Sequence, residues 1–142
     1  MKLLSVEYLW RMLRRLIAAH TLLFLAQAFA NNLIDRAWSL SGHLSILTVF
    51  VGLPAAGLLL IRDGQPRLAL VVILGSLAAS AAFQVQFDLL DHRVFDPEPN
   101  VEFWKTVFTA LSFALALIDA AGAVNAARLI QLSQRIAPEQ QD

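Results

Sequence analysis

Apolar residues run almost unbroken through Leu16–Ile34, Leu44–Ile61, Leu68–Phe87 and Val107–Val124, and charged residues gather between these stretches. A bilayer core about 30 Å thick is crossed by roughly 20 mostly apolar helical residues, so each stretch is long enough to span it. The pattern predicts an all-α, polytopic membrane protein. It is a four-transmembrane-helix bundle forming one membrane domain over 1–142, with spans at about 16–34, 44–61, 68–87 and 104–126.

Residues 1–15 read as an amphipathic lead, with Glu7, Arg11 and Arg14 on one side and Leu4, Tyr8 and Met12 on the other. Such a segment either lies in the interface or extends the first span into the cytoplasm. Residues 1–30 also outline a secretory signal ending at Ala28-Phe29-Ala30, but Glu7 in the lead and His20-Thr21 in the apolar core speak for a retained span. The short polar turn Arg62-Asp63-Gly64-Gln65-Pro66-Arg67 makes spans two and three antiparallel neighbours. In span two Pro54 frees a backbone carbonyl one turn earlier and should kink the helix, which is tolerated where a neighbour or water satisfies that group. The tail 127–142 is Gln-rich and expected to stay helical for a turn or two past Arg128.

Polar and small residues inside the spans identify the faces that meet, because apolar side chains have no hydrophobic reason to prefer each other over lipid. His20, Phe24, Gln27 and Asn31 fall on one face of span one. Ser45, Thr48, Gly52 and Ala56 make a small-residue stripe on span two. Span three offers Gly75 and Ala79, with Ser76, Ser80 and Gln84 one position round, and span four aligns Lys105, Thr109, Ser112, Ala116 and Asp119. Each of these faces is expected to look inward. Asp119 is the costliest residue, since a carboxylate near a helix centre opposes insertion by at least about 2.5 kcal/mol unless it is paired or protonated. Counted at about 1.5 Å per residue, His20 and Asp119 lie within roughly 10 Å of each other along the bilayer normal and can pair. His20, Gln27, Asn31, Ser112 and Asp119 therefore form a candidate intramembrane polar path.

Composition agrees: 58% of residues are apolar and 15% charged, against about 25% charged in an ordinary soluble domain. The net charge of zero gives no reason to expect a nucleic-acid partner. Charge placement sets orientation. With the N-terminus inside, Lys2, Arg11, Arg14, Arg15, Arg62, Arg67, Arg128 and Arg135 are cytoplasmic, and only Arg36, Arg93 and Lys105 are outside. That bias puts both termini in the cytoplasm of a cell (inner or plasma) membrane protein.

The absence of cysteine removes disulfides, thiolate metal sites and cysteine nucleophiles. At the outer rim His43, Asp88 and His92 form a candidate site for a divalent metal, with Asp35, Asp91 and Glu102 near by topology. Asp88 and His92 are one helical turn apart, and imidazole plus carboxylate suits zinc, copper or a harder ion. Polar residues solvating helix ends explain the same pattern. Haem is disfavoured because His20 lies at the opposite end from His43 and His92. No phosphate loop, nucleophile elbow or dinucleotide fingerprint is present. The leading expectation is a non-catalytic accessory subunit or binding module of a larger membrane assembly, embedded in the lipid bilayer with copies of itself or other membrane subunits. The alternatives are a proton, cation or small-solute transporter or channel component using the His20–Asp119 path, and a membrane metal-binding protein or metalloenzyme.

Overall fold

The computed structural model describes residues 6–33, 40–89 and 102–136, with side chains described over 6–31, 44–86 and 102–134. All described elements are helical. Helix α1 spans Val6–Leu33; α2 (Leu40–Leu47), a π-helical turn (Thr48–Gly52) and α3 (Leu53–Arg62) follow; then come α4 (Pro66–Phe83), a second π-helical turn (Gln84–Leu89) and α5 (Glu102–Ile136). Four of these stretches are long and apolar enough to cross a membrane: Val6–Asn31, Leu44–Arg62, Pro66–Gln86 and Glu102–Gln134, here the first to fourth spans.

Helix α1 is continuous from Val6 because nothing in its sequence is Gly or Pro and Ala, Leu and Arg dominate. From Val6 onward the lead is thus continuous with the first span. Its buried residues are Leu9 and Leu13, not Tyr8, which is exposed, or Met12, which is half-buried. The reason is register: Leu9, Leu13 and Ile17 continue downward, in steps of four, the face that His20 and Phe24 set inside the span. Helix α5 likewise continues two turns past Arg128, to Ile136.

The link between α3 and α4 is a Schellman turn. Gly64 takes a left-handed φ of 76°, its N–H donates to the Ile61 carbonyl, and the N–H of Gln65 donates to that of Leu60. Pro66, whose ring needs no N–H at the first helical position, then starts α4.

Helix α5 packs along both α1 and α4, and α4 also packs against α3. Two glycines permit the close approaches. A Cβ on Gly57 would sit 2.5 Å from Ile73 Cγ1 and 3.2 Å from the Ala69 carbonyl oxygen, and one on Gly122 would sit 2.6 Å from Leu77 Cδ1. The core has two blocks. Leu9, Leu13, Ile17, Leu70, Ile73, Leu77, Ala126 and Leu129 fill the end that carries the α3–α4 turn. Phe24, Phe50 and Leu115 form the other, with Phe83 against them.

One expected face is reversed and another is split. In the second span Ser45, Thr48 and Gly52 are exposed and Ala56 half-buried, while Phe50, Pro54 and Gly57 are buried. In the third, Gly75 and Ala79 are exposed, and the buried row is Ser76, Ser80 and Gln84. Small size identifies a face that helices can pack against, but not whether the packing helix belongs to the same chain.

Candidate functional site: a three-span polar bridge

His20 is the hub of the interior. It sits on the buried face of α1 with no exposed surface, and so does Asp119 on α5. His20 Nδ1 lies 2.5 Å from Asp119 Oδ1, and Nε2 lies 2.7 Å from the carbonyl oxygen of Phe50. That carbonyl is four residues before Pro54, which has no N–H to give it. The neighbouring backbone bonds in π fashion, with the Leu53 N–H donating to the Thr48 carbonyl, and His20 supplies a donor to Phe50. One imidazole thereby joins the first, second and fourth spans.

The protonation pattern follows from what each partner can do. A carbonyl oxygen only accepts, so Nε2 carries a hydrogen and donates it to Phe50. Between Nδ1 and Oδ1 lies one more hydrogen. Either Nδ1–H donates to a carboxylate or a carboxylic Oδ1–H donates to Nδ1. Asp119 Oδ2 is buried without a hydrogen-bond partner, and so is Ser80 Oγ. The two residues share the α4–α5 seam: Leu77 packs on Gly122, and three residues on in α4 and three back in α5 stand Ser80 and Asp119.

A second polar layer lies about 10 Å along α1. Gln27 Nε2 donates to Gln84 Oε1 at 2.8 Å and to Ser112 Oγ at 2.7 Å, and Gln84 Nε2 returns a bond to Gln27 Oε1 at 3.1 Å. Ser112 Oγ donates in turn to the Phe108 carbonyl at 3.0 Å. This layer joins the first, third and fourth spans. Replacing Gln27 by Leu removes all three inter-helix bonds, whereas Gln84→Leu leaves the bond to Ser112. We expect Gln27→Leu to cost about 1–2 kcal/mol, given roughly 0.6 kcal/mol per interhelical bond in membranes, and Gln84→Leu less. Unfolding by sodium dodecyl sulfate in mixed micelles measures the order.

Between the two layers stands the aromatic block. Phe24 stacks on His20 at 6.0 Å between ring centroids, meets Phe50 edge-on at 5.9 Å, and Phe50 meets Phe83 at 5.3 Å. Of the five residues expected in a polar path, His20 with Asp119 and Gln27 with Ser112 come together as two pairs in separate layers. Asn31 is also buried, its Oδ1 without a partner.

Three participants were absent from that expected path. Gln84 could be found from its place seven residues after Leu77 on the buried row. The Phe50 carbonyl could be found from Pro54. Asn125, whose Nδ2 donates to the Leu9 carbonyl at 2.8 Å, had a signal as an amide on the apolar face of a helix.

The rim site is mostly beyond reach: His92, like Asp35 and Asp91, lies outside the described residues, and of His43 and Asp88 only the backbone is described. Among the described residues no group of three or more His, Asp or Glu side chains comes together to hold a metal. The chain matches no family model, no curated protein and no solved structure.

Proposed function

We propose that this protein is a non-catalytic subunit of a larger membrane assembly, lying in a plasma membrane with both termini in the cytoplasm, and that its working surface is its outer face. The observation that carries this reading is the outward turn of the small-residue faces. Thr48 and Gly52 on the second span and Gly75 and Ala79 on the third are exposed. A Cβ on Gly75 would meet nothing within 4 Å, and one on Gly52 only its own helix at 3.8 Å. Small residues let a neighbouring helix approach closely, and that is their use at interfaces within a bilayer. The second span is also the least covered of the four by the rest of the chain.

The interior supports the same reading from the other side. His20, Asp119, Gln27, Gln84 and Ser112 bond to one another across helices. Conduction along His20, Gln27, Asn31, Ser112 and Asp119 would have to pass the Phe24–Phe50–Leu115 block.

The chain has no cysteine, so single cysteines report cleanly. Placed at Gly52 and Ala79, they are expected to give one discrete adduct with a short thiol-reactive crosslinker in native membranes. Cysteines at the exposed bulky positions Leu22 and Phe113 are expected to give none. Equal, adduct-free labelling at all four positions would count against the proposal.

A further inference from the structure

Taking the membrane residence proposed above but not the assembly, we infer that the outward face of α1 binds one anionic phospholipid. Its phosphate lies on Arg14 and Arg15, and its acyl chains run along Ala18, Leu22 and Leu25. Packing contacts fix the height of this face in the bundle. A Cβ on Gly122 would lie 2.6 Å from Leu77 Cδ1 and 4.0 Å from Leu16 Cβ, so Leu16, Leu77 and Gly122 stand at one height. The core agrees: counted from there, Leu9, Leu70 and Leu129 of the same cluster fall in one lower layer.

At about 1.5 Å per residue, Arg67 lies about 15 Å from that height toward the α3–α4 turn, and Arg128 about 9 Å. Arg62, counted through the contact of Gly57 with Ile73, lies about 14 Å away in the same direction. Arg14 and Arg15 are within about 3 Å of it. These two exposed arginines therefore stand about 12 Å farther from that end of the bundle than the pair closing spans two and three. At their height the other three spans turn Ala55, Gly75 and Val124 outward, where α1 turns out two guanidiniums.

A bilayer accommodates such a charge when the side chain reaches toward the headgroups and the leaflet thins to bring phosphate to it. Arg11 is engaged by Glu7 at 2.9 Å, whereas among the described residues no carboxylate pairs with Arg14 or Arg15. Guanidinium holds phosphate in charge-assisted hydrogen bonds, and an anionic headgroup gains about fivefold in affinity for each arginine near it. What continues the face selects lipid over a neighbouring helix. Helical steps of three and four residues lead from Arg14 through Ala18 to Leu22, Leu25 and Phe29, the last three 70%, 51% and 61% exposed. Bulky side chains keep another helix at a distance and suit acyl chains, and the small residues that admit a helix are turned outward on spans two and three instead. Charge at one end and bulky apolar side chains above it match a phospholipid lying along α1.

The test is native mass spectrometry of the full chain in mild detergent, titrated with phosphatidylglycerol or with phosphatidylcholine of the same acyl chains. The first phosphatidylglycerol is expected to bind the parent about tenfold more tightly than the first phosphatidylcholine. Arg14→Gln together with Arg15→Gln should bring the two lipids within about twofold of each other, whereas Arg62→Gln together with Arg67→Gln keeps the preference. All four residues are exposed, and circular dichroism confirms that both variants keep the fold. Glycerol phosphate, a headgroup without chains, should not displace the lipid at equal concentration. Equal affinities for the two lipids in the parent overturn the proposal, and so does an equal loss of preference in the two variants. Displacement by glycerol phosphate overturns the lipid assignment in favour of a soluble phosphate. Crosslinking of a cysteine at Ala18 to another chain in native membranes overturns it in favour of a protein partner. A chain that does not float with phospholipid vesicles contradicts membrane residence itself, which is a separate result.

Discussion

Replacing His20 by Leu is expected to destabilise the bundle by about 3–5 kcal/mol, the cost of removing one partner of a buried pair. The effect is large because three things are lost together. Asp119, with no exposed surface, keeps its carboxyl without a partner on either oxygen. The Phe50 carbonyl loses the donor that stands in for the absent N–H of Pro54. The second span loses its bridge to the first and fourth. Asp119→Leu should cost less, about 1–3 kcal/mol, because His20 as a neutral ring still donates Nε2–H to Phe50 and leaves a single nitrogen unsatisfied. Unfolding in mixed micelles gives both values, and a larger loss from Asp119→Leu would reverse the assignment of His20 as the hub.

The second large effect is expected at Gly57. Its Cβ position is occupied by Ile73 Cγ1 at 2.5 Å, with Ile73 Cδ1 at 3.0 Å and the Ala69 carbonyl oxygen at 3.2 Å behind it. Gly57→Leu must push α3 away from α4, and overpacking of this kind costs about 1–3 kcal/mol or more. Part of the obstruction is side chain and part is backbone, so Ile73→Ala in the same chain should recover only part of the loss. Gly75→Leu is the control. With nothing within 4 Å of its Cβ, it should leave monomer stability within about 0.5 kcal/mol. Its expected effect is on association. Equal losses at Gly57 and Gly75 would mean that the packing of α3 on α4 is not as described.

Much of this architecture is legible in the chain, for identifiable reasons. Long apolar runs can satisfy their backbone in lipid only as helices, so the four helices follow from hydropathy and their approximate limits from charge. The pairing of His20 with Asp119 follows from depth, since a buried carboxylate needs a partner and few polar groups lie at its level. Gln27 and Ser112 follow from helical steps of seven residues along the same faces.

What does not follow is the arrangement of neighbours. The second span carries two candidate inward faces, Ser45-Thr48-Gly52-Ala56 and Phe50-Pro54-Gly57, and residue size favours the first. The backbone decides for the second, because the carbonyl released by Pro54 must find a donor and His20 is the one within reach. In the third span Gln84 takes the interior through its bonds to Gln27, and the glycine–alanine row is left outside. Hydrogen-bond demand therefore outranks residue size in choosing the buried face. The rim histidines illustrate the other limit: ligand spacing along a chain specifies a site only when the third dimension is also given.

The account rests on the His20–Asp119 bond holding helices together, and a double-mutant cycle on that pair tests it most directly. Unfolding free energies of the parent, His20→Leu, Asp119→Leu and the double variant are measured under one condition. The double variant is expected to be more stable than the summed single losses allow, with a coupling of about 1–3 kcal/mol, because neither partner is left orphaned. Losses that add to within about 0.5 kcal/mol would show two independent residues and contradict the bridge.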